Sequence, residues 1–350
     1  VITGLGMMTS VGYQAPQAIT SLRAGLSRRM EFPDYEPIVR EPGMRFPEPL
    51  IAAPVAGVTD GLRGIERLLA LGVPALHEAL EDAHLLDGQQ QQTVLLVGGS
   101  QAPNRGAGSR IATILAPRLG LRTSKAPFQN VRYLPSGTAS VLLAVRDAMT
   151  QLVQRQCRQC VVGGVDSWLD EDSLTWLDEK RRLKSASNPD SFIPGEAAAF
   201  IVLELQSNAT RRNIIPHAQC RPVTMAMEKN TIWTEDPCTA EALSRCVQEV
   251  VAGLSAEEKT PDVALCDLNG ESYRSAEWSY TIPKVFQGED PVPALVHPAD
   301  CLGDVGAATG AILLGLTAFS MKMKTAPWQS ALLWCSSDDG ERAASSLVSF

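Results

Sequence analysis

Histidine, aromatic residues and positive charge are all scarce in this sequence. Phe, Trp and Tyr together make up 5% of 350 residues, histidine occurs four times, and 39 acidic residues against 31 Lys and Arg leave a formal charge of −8. That charge excludes a general affinity for nucleic acid or an anionic membrane, either of which needs a concentrated basic face. The longest basic clusters, Arg28-Arg29 and Lys180-Arg181-Arg182, are too short to form one and read as solvated surface. His77, His84, His217 and His297 are scattered, and none is spaced to complete a zinc site with the single C-x-x-C, Cys157 to Cys160. No metal or cofactor is expected. The first residues lack the charged segment and cleavage site of an export signal. The most membrane-like run, Val305 to Met321, is short, rich in small residues and preceded by Asp304, so it reads as a buried helix.

The eight cysteines are irregularly spaced, and several sit inside apolar runs such as "VALCDL" and "ALLWCSS". They read as reduced core thiols of a cytoplasmic protein, not as the disulfide framework of a small secreted domain. With 45% hydrophobic residues the chain is long enough for two packed cores. Strand and helix patterns alternate: "VITGL" reads as a strand, "PQAITSLRAGL" as a helix, and "TVLLVGG", "CVVGG" and "AAAFIVLEL" as buried strands. The polar "DGQQQQ" and "SQAPNRGAGSR" read as connections. A boundary near Ser207 divides an N-terminal half, 1–207, from a C-terminal half, 208–350, in which "AQCRPVTMAME" and "DVALCDL" read as strands and "TAEALSRCVQEVVAGL" as an amphipathic helix.

One internal correspondence carries the fold prediction. "PSGTASVLLAV" is followed by the strand "CVVGG", and "GDVGAATGAILLGL" by the strand "SALLWCSS". Both helices open with residues small enough for a neighbouring backbone to come close. A duplicated α/β unit folded as a five-layer αβαβα sandwich explains the pair.

Across nearly its whole length the chain resembles the β-ketoacyl synthases of the thiolase superfamily. The resemblance rests on the opening "VITGLGMMTSVG", on Gly163 to Glu204 with its "NPDSFIPGEAA" element, and on "CLGDVGAATGAILL". It implies a thiolase-like α/β fold and a dimer formed through the strand around "APFQNVRYL". It also implies an active site with a cysteine at a buried helix N-terminus, where the dipole favours the thiolate, and two histidines that donate to an enolate.

None of those groups stands at the matching positions. Thr138 takes the cysteine position, or Ser136 in an alternative register; Asn269 takes the first histidine, Asp304 the second, and Ala299 the lysine. The glycine-rich gating loop is replaced by "SSDDGERAASS", Ser336 to Ser346. A threonine hydroxyl needs a base, which an amide is not and an ordinary carboxylate is only weakly. Asp304 is expected to cap the following helix, as are Ser136 or Thr138 in the first half. Glu196 matches a family glutamate that holds loops together beneath the site, and His297 is expected at the surface.

The expectation is therefore a catalytically inactive ketosynthase-like scaffold, an adaptor for a protein client in assembly or bacterial effector secretion. A non-catalytic, chain-length-factor-like subunit in a ketosynthase heterodimer of fatty acid or polyketide synthesis is an alternative. An acyltransferase with replaced chemistry is another. The acidic surface offers no general attraction to an acidic acyl carrier protein, so that partner stays undecided.

Overall fold

The computed structural model describes residues 1–37, 48–86, 92–101, 108–123, 127–255, 260–287 and 291–350. The connection at 87–91 and the 102–107 part of the second polar connection lie outside the described residues. In chain order the first half holds β1 (Ile2–Thr9), α1 (Ala15–Arg23), β2 (Met30–Glu31), β3 (Ile51–Ala52), α2 (Gly64–Asp82), β4 (Thr93–Gly98), α3 (Gly108–Thr123), β5 (Asn130–Leu134), α4 (Ser140–Val153), β6 (Gln159–Ser167), α5 (Glu171–Glu179), β7 (Glu196–Glu204) and α6 (Gln206–Arg211). The second holds β8 (Gln219–Cys220), β9 (Thr224–Met227), α7 (Glu241–Ala252), β10 (Val263–Leu265), α8 (Ser272–Val285), β11 (Ala294–Val296), α9 (Ala299–Leu302), α10 (Thr309–Lys322), β12 (Ser330–Ser336) and β13 (Glu341–Val348).

The two halves repeat one topology. The first sheet runs β1-β7-β6-β4-β5, and the second runs β8-β13-β12-β10-β11 with β9 also on β13. In each, three strands are parallel and the remainder antiparallel: β5, β4 and β6 match β11, β10 and β12. Helices α4 and α10 lie between the sheets in one core with strands of both, including Leu96, Val141, Leu142, Ile312, Leu314 and Leu333. Helices α2 and α3 cover the outer face of the first sheet, and α7 and α8 that of the second. This is the five-layer thiolase-like sandwich.

The small residues are where the layers touch. A Cβ on Gly164 of β6 would lie 2.0 Å from the Ala307 carbonyl oxygen, so only glycine lets the second-half turn rest on the first sheet. The run from Val305 forms α10, whose Ile312, Leu313, Leu314 and Leu316 are essentially fully buried. Each contributes about 1.5–3 kcal/mol through burial.

One helix runs through a proline, and two further elements differ from their sequence patterns. The stretches either side of Pro74 form the single helix α2. Burial of Leu69, Leu71, Leu76 and Leu80 offsets the hydrogen bond that the proline cannot make. The expected strand at 218–228 is split into β8 and β9, with Pro222 between them, where no N–H is available for the ladder. Most of "SSDDGERAASS" is not a loop: only Ser337–Gly340 turns, and Glu341 onward is β13, paired with β12, β8 and β9. Its Ala and Ser content has low strand propensity, and burial between partners decides its conformation.

Candidate functional site

Two matching turns meet at the centre of the molecule, one ahead of each buried helix. Gly137–Ala139 and Gly306–Ala308 each form a 3-10 turn, with φ of +54° at Gly137 and +53° at Gly306. The two turns contact each other, and each leads straight into its helix, α4 or α10. Thr138 is buried beside Gly137, and Ser136 is half-buried. Whichever register is taken, the residue available is Ser136, Gly137 or Thr138, and none carries a thiol.

The amides of the two turns find different partners. In the second half, Asp304 Oδ1 accepts from Gly306 N at 2.7 Å, and Asp166 Oδ2 accepts from Ala307 N at 2.8 Å. Carboxylates thus sit where the partial positive charge of a helix start favours them. In the first half neither Ser136 nor Thr138 caps: Ser337 Oγ accepts from Ala139 N at 2.9 Å and donates to the Ser136 carbonyl. The cap comes from the β12–β13 turn, almost two hundred positions away, which no local sequence pattern announces.

Asn269 and Asp304 are brought together. Asn269 Nδ2 donates to Asp304 Oδ2 at 2.7 Å and to Glu271 Oε2 at 3.0 Å, and Trp168 Nε1 donates to Asp304 Oδ1 at 3.0 Å. Ala299, at the start of α9, lines the same small space. Trp168 and Asn269 thus both direct a side-chain N–H onto Asp304.

Above these groups lies a buried charge cluster. Arg182 makes a two-pronged pair with Glu271, at 2.6 and 2.8 Å, and reaches Asp338 at 2.7 Å. Arg274 bridges Asp267 at 2.7 Å and Asp338 at 3.0 Å. Burial alone would raise the Asp338 carboxyl, but Arg182 and Arg274 outweigh it and hold the group below its ordinary value. Asp267 goes the other way: burial pushes it up to about 6, against the pull of Arg274 and the Ser336 amide. The Arg182 guanidinium also faces the rings of Phe192, Trp233 and Trp176 at 5.1, 5.3 and 5.8 Å, and Trp168 stacks on Trp176. Arg182 is therefore not solvated surface, as its basic triplet suggests; it is 5% exposed.

The space left is small. A void of about 10 Å³ remains beside Asn269, Ala299 and Asp304, and one of about 40 Å³ between Thr138, Trp168, Trp176 and Asp338. Small-molecule sites are typically about 300–1,000 Å³. Thr138 has no side-chain hydrogen bond among the described residues, and no histidine or cysteine lines that second void.

The other singled-out residues lie outside this cluster. Glu196 is fully buried and accepts from Val55 N, Thr59 Oγ1, Arg67 Nε and Ser167 Oγ at 2.6–2.9 Å, tying loop, helix and strand together. His297 pairs with Asp300 at 3.0 Å and His217 with Asp82 at 2.8 Å. Cys266 borders the smaller void, and burial pushes its thiol well up, against reactivity. Arg182, Arg274, Asp338, Glu271, Trp168 and Ser337 escaped the sequence reading, because their partners are close only in space.

The family model of the β-ketoacyl synthase N-terminal domain matches residues 103–209. The chain is 26% identical over 268 residues to the polyketide biosynthesis malonyl-ACP decarboxylase PksF of Bacillus subtilis (strain 168), a match covering 66% of this chain and 63% of that protein. Among solved structures, the ishigamide ketosynthase/chain length factor superposes with a TM-score of 0.82 at 16% identity, covering 100% of this chain and 98% of the other. The oxazolomycin ketosynthase domain OzmH KS7 of Streptomyces albus JA3453 gives 0.78 at 16% identity, with 100% of this chain and 74% of that one covered. Among the described residues no helix is long and apolar enough to cross a membrane. The match over residues 103–209 and the fold of the whole chain are thus both similar to those of ketosynthases.

Proposed function

We propose that this chain is a non-condensing subunit, similar to a chain length factor, that pairs with a ketosynthase in polyketide assembly. One observation carries the reading: the two residues at the positions matching the family's histidines, Asn269 and Asp304, are bonded to each other, and Asp304 is held by Trp168, beneath the Arg182 cluster. Decarboxylation and condensation both need donors aimed at a developing oxyanion, and here the amide of Asn269 is engaged by Asp304 and Glu271 while Asp304 carries negative charge. The likeness to a ketosynthase/chain length factor over 98% of that chain supports the assembly role above an adaptor for an unrelated client. β5 supports it too, because it lies at the end of the first sheet and pairs only with β4 among the described strands. An edge of that kind is a template for a partner strand.

Co-expression with a cysteine-bearing ketosynthase, followed by sizing and mass measurement, tests the reading. A one-to-one heterodimer is expected, and Val131→Pro in β5 should abolish it. A chain that stays apart from every ketosynthase offered, and that retains a different client on affinity capture, would favour the adaptor role. The likeness to a malonyl-ACP decarboxylase raises a second reading. Loss of carbon dioxide from malonyl-ACP on incubation, read by intact mass, would establish it. An acyl adduct on Thr138 or Ser136 would instead revive acyl transfer.

A further inference from the structure

At the opposite end of the first sheet from the two turns lies a cavity of about 770 Å³. It is bordered by Gln129 ahead of β5, by Arg155, Gln156, Cys157 and Arg158 between α4 and β6, and by Arg211 at the end of α6. The described lining carries three arginines and no carboxylate. Asp147, the carboxylate nearest enough to act on Cys157, is paired to Arg132 at 2.5 Å. A cavity of that size with cationic walls suits a small polyanion.

Cys157 forms part of the wall, and its Sγ lies 3.3 Å from the Sγ of Cys160 on β6. The two thiols are unequal. Cys157 is 7% exposed and Cys160 not at all. The hydrogen bond between the two sulfurs draws the Cys157 pKa down, while that bond and burial push Cys160 up. The first is placed to attack an incoming sulfur, and the second to resolve the product from behind. A disulfide needs the sulfurs to close to about 2.05 Å, and Cys157 sits in the connection ahead of β6 rather than in the ladder.

We propose that Cys157 and Cys160 form a thiol–disulfide exchange site that draws an anionic low-molecular-weight disulfide from this cavity. Cys157 attacks one sulfur of the disulfide RSSR, the S–S bond breaks, and R–S⁻ leaves with the proton that Cys157 gave up. The Cys160 sulfur then attacks the Cys157 sulfur and expels the second R–S⁻, which takes the Cys160 proton. Two protein thiols are oxidised to one disulfide, and RSSR is reduced to two RSH.

The test exposes the reduced protein to oxidised glutathione, to neutral hydroxyethyl disulfide and to cationic cystamine. Each rate is normalised to that disulfide's reaction with a simple dithiol, and the thiols are mapped by differential alkylation and mass spectrometry. Cys157 and Cys160 should be lost together. Oxidised glutathione should lead cystamine by about tenfold at low salt, with the gap narrowing as salt is raised. Cys160→Ser should trap a mixed disulfide on Cys157, and Arg155→Gln with Arg158→Gln should erase most of the charge preference. The wild-type comparison needs no variant to fold. Equal normalised rates for the anionic and cationic reagents, first modification at another cysteine, or a pair that stays fully alkylatable would each overturn the proposal.

Discussion

The connection from β6 to β7 and the connection from β12 to β13 occupy the same place in the two halves, yet they have little in common. The first runs through residues 168–195 and carries α5, Trp168, Trp176 and Arg182; the second is the tight turn Ser337–Gly340. They meet over the central turns, where Arg182 pairs with Asp338 and Ser337 caps the helix opposite. The duplicated sheets fix where a site must be, and the unequal connections fix what fills it. In this chain they fill it with ion pairs and rings.

The largest expected effect breaks that meeting. Arg182→Met takes the two-pronged partner from buried Glu271 and leaves Asp338 with Arg274 alone, and should cost about 3–5 kcal/mol in urea unfolding. Adding Glu271→Gln and Asp338→Asn to it should recover part of the loss. A single-variant cost below about 1 kcal/mol would mean that the connections touch without locking.

A smaller contrast separates the two caps. Asp304→Ala removes an acceptor shared by Trp168, Asn269 and Gly306 and should cost about 3 kcal/mol, with a shift in tryptophan emission. Ser337→Ala removes one neutral cap and should cost about 1 kcal/mol. If the order reverses, the charged cap is not the stronger of the two.

The glycines sharpen the comparison further. Both adopt the left-handed region, so Gly137→Ala should cost about 1 kcal/mol for conformation alone, its nearest obstacle being the Gln101 side chain. Gly306→Ala should cost more, because its Cβ would lie 2.1 Å from Asp166 Oδ2. Thermal melts of the two variants would decide it; equal losses would show that the surroundings of the turns do not matter.

A pH-dependent contrast lies at the outer edge of the first sheet, where Glu78 and Asp82 of α2 accept from the Met7 and Leu5 amides of β1. Burial raises the Glu78 carboxyl from 4.5 to about 7, against the lowering by the Met7 and Ala15 amides. The folded state therefore holds this proton more firmly than the unfolded chain. Its contribution is full below about pH 4.5 and is lost as pH rises through 7. Glu78→Gln should flatten the fall in stability between pH 5 and 8 by up to one proton; an unchanged slope would remove Glu78 as its source.

Much of the architecture is legible without coordinates, because strand and helix patterns depend on near neighbours. The apolar run "AAAFIVLE" reads as a strand covered on both faces, and the small residues opening α4 and α10 mark helices approached by other backbone. That Thr138, Asn269 and Asp304 carry neither thiol nor imidazole is legible for the same reason: a residue type is a local fact. The Ala- and Ser-rich β13 is not, since the burial supplied by its partners overrides local preference.

By itself, then, the sequence determined a duplicated sandwich and the residue types of the two turns that open its buried helices. Only the tertiary structure decided whether that centre is open. Arg182 meets Glu271 across 89 positions and Asp338 across 156, and the attraction between charges depends on distance and surrounding dielectric, neither of which can be read along the chain.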